Sequence, residues 1–314
     1  MALVEVRDLV KRYTVGGPNA VDGISFEIQE GELFSLLGPN GAGKTTTISV
    51  MSTLLTPTSG TVLIDGFETQ RDPMAVRQRI GLVPQDLALY YDLTAEENLR
   101  FWGEMRGLAG GELKREVAEK LALMELTDRA NDRVRTFSGG MRRRLNLAVG
   151  LLGHPRLIML DEPTVAIDPQ SRRYILDWVK QLADSGTTVL YTTHYMEEAQ
   201  ELSDRIGIID HGELIAKGTL GELTQMVGEY EALTFRLVQD HGADELVQII
   251  ATSPDVLQAS ADDGEILVNA RSAEAVLPHA VAAASQLGLS IRTIEIREPN
   301  LETVFLHLTG RALR

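Results

Sequence analysis

Short apolar runs punctuate the first two-thirds of the chain. They are Leu33–Leu37, Ile80–Val83, Leu157–Leu160, Thr187–Tyr191 and Ile206–Ile209. Runs of this length, without polar alternation, are typical of strands buried on both faces of a largely parallel sheet. Helical patterns follow several of them, for example Ser171–Ser185 and Glu197–Leu202. The alternation predicts an α/β fold.

Two amphipathic stretches interrupt this alternation. Thr94–Gly107 and Leu113–Leu126 both have helical periodicity, and no strand pattern separates them. We therefore predict a helical subdomain at about residues 87–149, inserted into the α/β domain.

The composition shifts once along the chain, after the last lysine, Lys217. The 96 residues from Thr219 onward hold 6 Arg and no Lys against 14 acids. This shift predicts one domain over residues 1–218 and a small α+β domain over 219–314. Its predicted strands lie near Ala232–Val238, Glu265–Val268 and Ser290–Ile296, and its predicted helices near Asp244–Thr252, Ala273–Leu287 and Leu301–Leu308.

The last predicted helix has an apolar face formed by Leu301, Val304, Phe305 and Leu308. One hypothesis is that this domain stabilises a dimer or regulates the first domain. The alternative is that the helix simply packs against its own domain.

Composition and charge exclude several classes of protein. The net charge of −15 argues against binding to nucleic acid or to an anionic lipid surface, because phosphates are neutralised by Lys and Arg. The chain has no cysteine, which excludes disulfides and thiolate metal sites. No apolar run approaches the roughly 18 residues that span a bilayer, and Met1–Val10 lacks the apolar core of a signal peptide. We expect a soluble intracellular chain that needs a partner for any work at a membrane.

A glycine-rich segment follows the first apolar run. Residues 38–45, which we call the phosphate loop, read Gly38-Pro39-Asn40-Gly41-Ala42-Gly43-Lys44-Thr45 and match the pattern G-x-x-x-x-G-K-[ST]. Such glycines let backbone N–H groups surround phosphate oxygens at the positive end of a helix. Lys44 adds a charge for the β and γ phosphates, and Thr45 offers a hydroxyl to Mg²⁺. The segment predicts binding of a nucleoside triphosphate.

Two carboxylates end another apolar run. Asp161 and Glu162 follow Leu157–Leu160, so a parallel sheet places them at the edge where the phosphate loop lies. Asp161 can hold Mg²⁺ through water, and Glu162 can orient or deprotonate an attacking water. A similar argument applies to His194, which follows the run Val189–Tyr191 and two threonines.

The segment Phe137-Ser138-Gly139-Gly140-Met141 decides the class of protein. Together with the phosphate loop and the acidic pair, it resembles the signature of ATP-binding cassette (ABC) ATPases. Tyr13 resembles the adenine-stacking aromatic of that family, Gln85 its Q-loop, Thr164–Pro169 its D-loop and His194 its switch histidine. The resemblance covers about residues 2 to 218. The ending Pro299–Gly310 is similar to tails of the drug-exporter branch, typified by daunorubicin/doxorubicin resistance ATP-binding subunits.

The resemblance implies the P-loop NTPase fold of an ABC nucleotide-binding domain, with ATP and Mg²⁺ as cofactors. It implies catalytic roles for Lys44, Gln85, Glu162 and His194, and metal ligands at Thr45, Gln85 and Asp161. The nucleotide-binding residues that it implies are Tyr13, Gly38, Pro39, Asn40, Gly41, Ala42, Gly43, Lys44, Thr45, Thr46, Ser138, Gly139, Gly140 and Asp168.

The resemblance also implies partners. In this family Ser138 of one subunit faces the γ-phosphate held by Lys44 of another, so two copies enclose two ATP molecules. An integral membrane permease, docked near Leu87–Phe101, would keep this homodimer at the cytoplasmic side of the membrane. We expect no nucleic acid and no direct lipid contact.

This sequence departs from the commoner family pattern at three positions. Met141 stands where Gln is commoner, and Ala166 and Ile167 stand where the D-loop commonly has Gly and Leu. Ala in place of Gly restricts φ. The run Arg142–Arg144 after the signature is typical of a solvated helix face, and we assign it no catalytic role.

Two other functions stay open at this point. One is a soluble ABC ATPase acting on ribosomes or DNA, although such chains usually carry two cassettes or a long coiled coil. The other is a regulatory module that senses ATP without hydrolysing it. The transport hypothesis requires that Glu162→Gln traps an ATP-bound dimer.

Overall fold

The computed structural model describes residues 2–226, 231–238, 242–262, 265–297 and 300–309. The chain forms two compact units that divide between Thr219 and Leu220. In chain order, the strands and helices of the first unit are β1 (Ala2–Arg12), β2 (Asn19–Gln29), β3 (Leu33–Leu37), α1 (Lys44–Met51), β4 (Ser59–Ile64), β5 (Phe67–Glu68), α2 (Pro73–Arg79), β6 (Ile80–Val83), α3 (Ala95–Met105), α4 (Gly110–Leu123), α5 (Gly139–Gly150), β7 (Leu157–Asp161), α6 (Pro169–Asp184), β8 (Thr188–Thr193), α7 (Met196–Leu202), β9 (Arg205–Asp210) and β10 (Glu213–Gly218).

A six-stranded sheet with the order β10-β9-β3-β8-β7-β6 forms the centre of the first unit. Its strands are parallel except for β10, which pairs antiparallel with β9. Alternate residues of β7 belong to two different apolar clusters. Ile158 and Leu160 pack into one cluster, and Leu157 and Met159 pack into the other. Burial on both faces explains why this strand is a continuous apolar run, and the predicted α/β class is confirmed.

A second, antiparallel sheet has the order β2-β1-β4-β5. The pattern of apolar runs did not predict it. In β1 the buried residues are Leu3, Val4, Val6 and Leu9, and the register shifts between Val6 and Leu9. Asp8 lies at this shift with a φ of 46°. A strand whose alternation is broken in this way has no regular period of two residues.

Helices α3, α4 and α5 lie between β6 and β7 in the chain and pack against one another. Thr94 caps α3, since its side chain accepts a hydrogen bond from the N–H of Glu97, whose carboxylate accepts from the N–H of Thr94. This capping box fixes where the helix begins. Buried Leu99, Leu113 and other residues of the insertion join the cluster that covers one face of the six-stranded sheet.

The second unit contains α8 (Leu220–Gln225), β11 (Glu231–Leu237), α9 (Ala243–Ile250), β12 (Val256–Asp262), β13 (Glu265–Ala270), α10 (Ala273–Gln286), β14 (Ile291–Arg297) and α11 (Leu301–Thr309). Its sheet is antiparallel with the order β12-β13-β11-β14. The succession of β11 to β14 with α9 and α10 is the ferredoxin-like βαββαβ arrangement. Strand β12 was not predicted from the sequence.

Helix α11 packs against α8 within this unit. Three residues of its predicted apolar face, Leu301, Val304 and Phe305, are buried, whereas Leu308 is 37% exposed. The unit encloses an apolar core of its own, built around Leu233 and other buried residues of β11, β13, α9 and α10.

Candidate active site

The phosphate loop connects β3 to α1 through positions where only glycine fits. A Cβ atom at Gly38 would lie 2.1 Å from the carbonyl oxygen of Ile209. Gly43, the residue before α1, has a φ of 111°, and a Cβ there would lie 2.6 Å from the carbonyl oxygen of Ala20. Gly41 also has a positive φ, of 81°. The loop thus turns tightly into the N-terminus of α1, where unpaired N–H groups favour an anion.

Other residues of the loop give it internal order. The N–H of Ala42 donates to the carbonyl of Pro39 at 3.2 Å, and the carbonyl of Ala42 accepts from the N–H of Gly212 at 3.0 Å. Ala42 is buried, whereas the neighbouring Asn40 is exposed. The loop therefore presents its outer side to solvent while its inner side is fixed to the sheet.

Lys44 is buried at the first position of α1. Its Nζ donates to the carbonyls of Gly38 and Pro39 at 2.6 and 2.9 Å. The same Nζ lies 3.0 Å from Oε1 of Glu162. A buried ammonium group requires such partners, because an unpaired charge is costly to remove from water. Lys44 is therefore a fixed positive charge beneath the phosphate loop.

Asp161 is the last residue of β7 and is also buried. Its Oδ1 accepts a 2.7 Å hydrogen bond from Oγ1 of Thr192, and its carboxylate also bonds the side chain of Thr45. Burial is the largest cause that raises the pKa of Asp161 above its ordinary value, and Glu162 adds to it; the two hydroxyls and Lys44 oppose the shift. A nearby cation would therefore stabilise the charged form of this carboxylate.

Glu162 follows β7 with its backbone in the left-handed region, at a φ of 45°. Its N–H donates to the carbonyl and the Oγ1 of Thr192 at 3.2 and 3.0 Å. Its Oε2 lies 3.1 Å from Nδ1 of His194, while Oε1 contacts Lys44. A non-glycine residue keeps this conformation only where its surroundings fix it. Glu162 is held between a cation on one side and an imidazole on the other.

The phosphate loop, Glu162 and His194 line one cleft of about 350 Å³. The predicted site residues along its wall are Asn40, Gly41, Gly43, Lys44, Thr45, Thr46, Gln85, Glu162 and His194, and Ala20 and Val165 complete the lining. The fold therefore brings together residues from the phosphate loop, the end of β6, the end of β7 and the end of β8.

Tyr13 lies beside this cleft rather than in its wall. Its ring is 63% exposed, and its hydroxyl lies 3.1 Å from Oγ1 of Thr46. The ammonium of Lys11 lies 5.7 Å from the ring centroid. An exposed aromatic face next to a phosphate-binding loop is suited to stacking on a base.

The signature residues are not brought to the cleft of the same chain. Ser138 caps α5, with its Oγ accepting from the N–H of Met141 at 3.2 Å, and it is exposed together with Gly139. Gly140 is buried, and a Cβ there would lie 2.2 Å from Oγ of Ser171. The residues of this segment are absent from the cleft wall as far as the described residues define it.

Asp168 similarly caps α6 and is exposed. Its Oδ1 accepts from the N–H of Ser171 at 2.9 Å, and hydrogen bonds from Ser171 lower the pKa of Asp168 below its ordinary value. Within the D-loop, Ala166 has a φ of 58° and Ile167 packs against an apolar cluster. Ala166 thus adopts the left-handed conformation that glycine favours, so the substitution leaves the turn in place at the cost of strain.

Arg143 corrects the expectation that Arg142–Arg144 form a solvated face, because its side chain is buried at 3% exposure. Its guanidinium donates to backbone carbonyls of two separate segments of the site, residues 84–85 and 161–163. The sequence held one signal of this burial. Gly140, Arg143 and Leu147 are spaced by three and four residues, which puts them on one helix face, and all three are buried.

Glu198 is a second buried charge that the sequence analysis did not single out. Its carboxylate is 1% exposed and accepts four hydrogen bonds of 2.7 to 2.9 Å. The donors are Thr164 after β7, Arg172 on α6, and Tyr191 and Thr193 on β8. Burial is the main cause that raises the pKa of Tyr191 well above its ordinary value. Glu198 ties the beginning of the D-loop to the strand that ends before His194.

In the part of the chain that the structure describes, no helix is both long enough and apolar enough to cross a membrane.

Comparisons with known proteins agree with this geometry. Residues 21–165 match the family model described as ABC transporter. The chain is 44% identical to the linearmycin resistance ATP-binding protein LnrL of Bacillus subtilis (strain 168), over 99% of this chain and 100% of that protein. It is 38% identical to the daunorubicin/doxorubicin resistance ATP-binding protein DrrA of Streptomyces peucetius, over 98% and 92% of the two chains.

A similar solved structure is a dimeric ATP-binding cassette in a post-hydrolysis state, bound to ADP and Pi. The match has a TM-score of 0.63 and 30% sequence identity, and it covers 69% of this chain and 98% of that one.

Proposed function

The chain belongs to the ATP-binding subunits of ABC transporters and is an ATPase of that family, and we propose that it drives an export transporter as a homodimer enclosing two Mg-ATP. The observation that carries the proposal is the contact of buried Glu162 with buried Lys44 on one side and half-buried His194 on the other, beside the phosphate loop. It provides a cation for the terminal phosphates and a carboxylate beside them.

Glu162 is the group that we assign to the attacking water. Its two oxygens are 3.0 Å from Nζ of Lys44 and 3.1 Å from Nδ1 of His194. A γ-phosphate in the cleft would compete with Glu162 for the ammonium of Lys44. Oε1 of Glu162 would then be released from Lys44 and could contact a water beside the phosphate. His194 would then keep Oε2 in place. A carboxylate positioned in this way can orient a water and accept its proton.

The oxygen donors of the cleft fit Mg²⁺, which prefers carboxylate and hydroxyl oxygens together with phosphates. Thr45 and Gln85 line the cleft. Asp161 is not one of the lining residues, but it is a buried carboxylate bonded to the Thr45 side chain. These three residues would hold the ion, and Mg²⁺ would supply neutralisation of the phosphate charge. Its arrival would also relieve the burial penalty on the Asp161 carboxylate.

The position of Ser138 supports a dimer. Ser138 and Gly139 open α5 at an exposed helix N-terminus that the cleft of the same chain does not include. An exposed N-terminus with small residues is suited to an anion. If this segment binds the γ-phosphate, the phosphate belongs to a nucleotide held by another copy. Two copies then close over two nucleotides, and hydrolysis separates them.

The relatives support an export role. Two of them are resistance proteins for linearmycin and for daunorubicin/doxorubicin. We infer that the transported substrate is a drug or other hydrophobic compound, which a separate integral membrane permease carries across the membrane. The ATPase would then act at the cytoplasmic side of the membrane, held there by contacts of the permease near Leu87–Phe101.

The first test uses Glu162→Gln, which keeps the shape of the side chain and removes its charge. We expect turnover to fall by about 10²- to 10⁴-fold, because the general base is lost. We also expect a stable dimer with Mg-ATP in analytical ultracentrifugation. The matched control is Glu201→Gln, a carboxylate that pairs with Arg173 and lies outside the cleft. A Glu162→Gln protein that stays monomeric with Mg-ATP contradicts the homodimer.

The second test identifies the partner. The tagged chain is recovered from mildly solubilised native membranes, and co-purifying proteins are identified by mass spectrometry. A polytopic membrane protein in stoichiometric amount supports the transporter. Recovery of ribosomal proteins in its place would favour the soluble ATPase that acts on ribosomes.

A further inference from the structure

Arg143 differs from the two arginines that flank it. Arg142 bonds to the carbonyls of Val134 and Arg135, and Arg144 bonds to the carbonyl of Met124 and the carboxylate of Glu125. Both of these bonding sites lie within the helical insertion. Arg143 instead enters the interior of the first unit, where only 3% of the residue is exposed.

Five hydrogen bonds hold the Arg143 guanidinium. Nε donates to Pro163 at 2.6 Å, and Nη2 donates to Asp161 and Glu162 at 3.3 and 2.9 Å. Nη1 donates to Pro84 and Gln85 at 3.0 and 2.9 Å. Every acceptor is a backbone carbonyl. The five N–H donors of an arginine are thus divided between two chain segments that are far apart in sequence.

The positive charge of Arg143 makes these hydrogen bonds necessary for stability. The guanidinium of an arginine keeps its positive charge in proteins, and at Arg143 that charge is buried. A buried cation without its hydrogen bonds is strongly destabilising. The two segments must therefore keep their carbonyls in place around Arg143, and any displacement of the guanidinium is transmitted to them.

Both segments carry side chains of the active site. Gln85 lines the cleft, and Glu162 faces Lys44 and His194 from a backbone with a φ of 45°. The hydrogen bonds from Arg143 to the carbonyls of residues 161–163 fix the backbone around this unfavourable conformation. On the other side, Ser138 caps the N-terminus of α5, five residues before Arg143.

We propose that Arg143 is a positioning residue that couples the exposed N-terminus of α5 to the backbone of Glu162 and Gln85. The proposal rests on the proposed function, in which Ser138 contacts the nucleotide of another copy. Closure of that contact shifts the first turns of α5, and Arg143 carries the shift to both segments. Glu162 then reaches its working orientation only when the second subunit is engaged.

The test replaces Arg143 with Met and measures steady-state ATP hydrolysis by the purified full-length chain. We expect kcat to fall at least tenfold, with KM for ATP within about twofold of the native value. The matched control is Arg144→Met on the same helix, for which kcat stays within about twofold. Arg143→Lys keeps the charge but has only three donors, so its kcat should lie between those of the native protein and Arg143→Met.

A second measurement separates positioning from a merely structural role. Arg143→Met is combined with Glu162→Gln, and Mg-ATP binding and dimer formation are compared with those of Glu162→Gln alone. Equal affinity for Mg-ATP is expected, because Arg143 acts on the orientation of Glu162 and not on nucleotide binding. A smaller dimer fraction is expected, because a contact that orients Glu162 on closure must in turn favour closure. If Glu162→Gln alone fails to dimerise, the proposed function fails first, independently of the kcat of Arg143→Met.

Two outcomes would overturn the proposal. One is an equal loss of kcat in Arg143→Met and Arg144→Met. The other is a fall in ATP affinity as large as the fall in kcat. If circular dichroism shows that Arg143→Met is unfolded, Arg143→Gln gives the same test, since its amide is uncharged and replaces two of the five donors.

Discussion

The two units of this protein differ in whether they bury polar side chains. Among the described residues, every buried polar or charged side chain lies in the first unit, including Lys44, Arg143, Asp161, Glu162 and Glu198. The described core of the second unit is apolar throughout. Burying charge costs stability unless partners are supplied, so the first unit maintains dense hydrogen bonding around its site. The described core of the second unit is held together by the packing of apolar side chains.

This comparison teaches where chemistry resides in the chain. A core of aliphatic and aromatic residues tolerates change of shape but provides no reactive group. A core that holds a lysine against a glutamate is stable in one arrangement only. Substitutions of the buried charged residues of the first unit should therefore change turnover more than stability, whereas those in the apolar core of the second unit should do the reverse.

Among the variants that test this comparison, the largest effect is expected for Lys44→Ala in the first unit. Loss of the Lys44 ammonium removes the positive charge assigned to the terminal phosphates. It also leaves the buried carboxylate of Glu162 without this ion-pair partner. We expect kcat/KM for ATP to fall by about 10²- to 10³-fold. The control is Lys217→Ala, a lysine whose Nζ donates to the carbonyl of Ser25, away from the cleft. Retention of more than a tenth of native turnover in Lys44→Ala would break the assignment.

A stability effect of the opposite kind is expected for Phe235→Ala in the second unit. Phe235 is fully buried in β11, and its truncation should cost that unit about 3–5 kcal/mol, with kcat for ATP within twofold. Hydrogen exchange of β11 measures the loss. Leu267→Ala on the adjacent strand is the control, because Leu267 is 46% exposed and should cost less than about 1 kcal/mol. A large fall in kcat for Phe235→Ala would show that the two units are not energetically separate.

The smallest expected effect is a gain of stability in Asp161→Asn. The folded-state pKa of Asp161 is raised, chiefly by burial. A raised pKa means that the contribution of this group to stability is present at low pH and is lost as pH rises through the folded-state pKa. Without nucleotide, Asp161→Asn should therefore raise Tm at pH 7 by roughly 2–4 °C, or about 1 kcal/mol.

The same variant has an internal control in its pH dependence. The difference in Tm between Asp161→Asn and the native protein should shrink as pH falls toward the ordinary aspartate pKa, because the native carboxyl then binds its proton. A difference in Tm that is constant from pH 7 to pH 4.5, or a lower Tm for the variant at pH 7, would contradict the role assigned to burial.

The central sheet could be predicted from the sequence because its strands are buried on both faces. Leu33–Leu37 and Ile80–Val83 were predicted with the bounds that the structure shows. The antiparallel sheet was missed, since the register shift in β1 breaks the alternation that would reveal a half-buried strand. Strand β12 was missed because Val256–Asp262 contains few β-branched or aromatic residues.

The residues predicted from the sequence are those whose side chains would contact a ligand. Arg143, which was missed, is a residue whose side chain binds backbone carbonyls. The phosphate loop, Asp161, Glu162 and His194 follow apolar runs, and parallel strands deliver their ends to one edge. Their assigned roles in catalysis and metal binding stay predictions. Arg143 was passed over, because a run of three arginines has the composition of a solvated face, and its burial depends on segments distant in sequence.

The contact of Arg143 with five carbonyls has a consequence for the evolution of such proteins. Every amino acid offers a backbone carbonyl, so this contact does not depend on which side chains stand at positions 84, 85 and 161–163, whatever other roles constrain them. Paired substitutions between these positions and Arg143 would therefore be rare. Methods that infer proximity from correlated sequence variation would leave this connection undetected, although five hydrogen bonds form it.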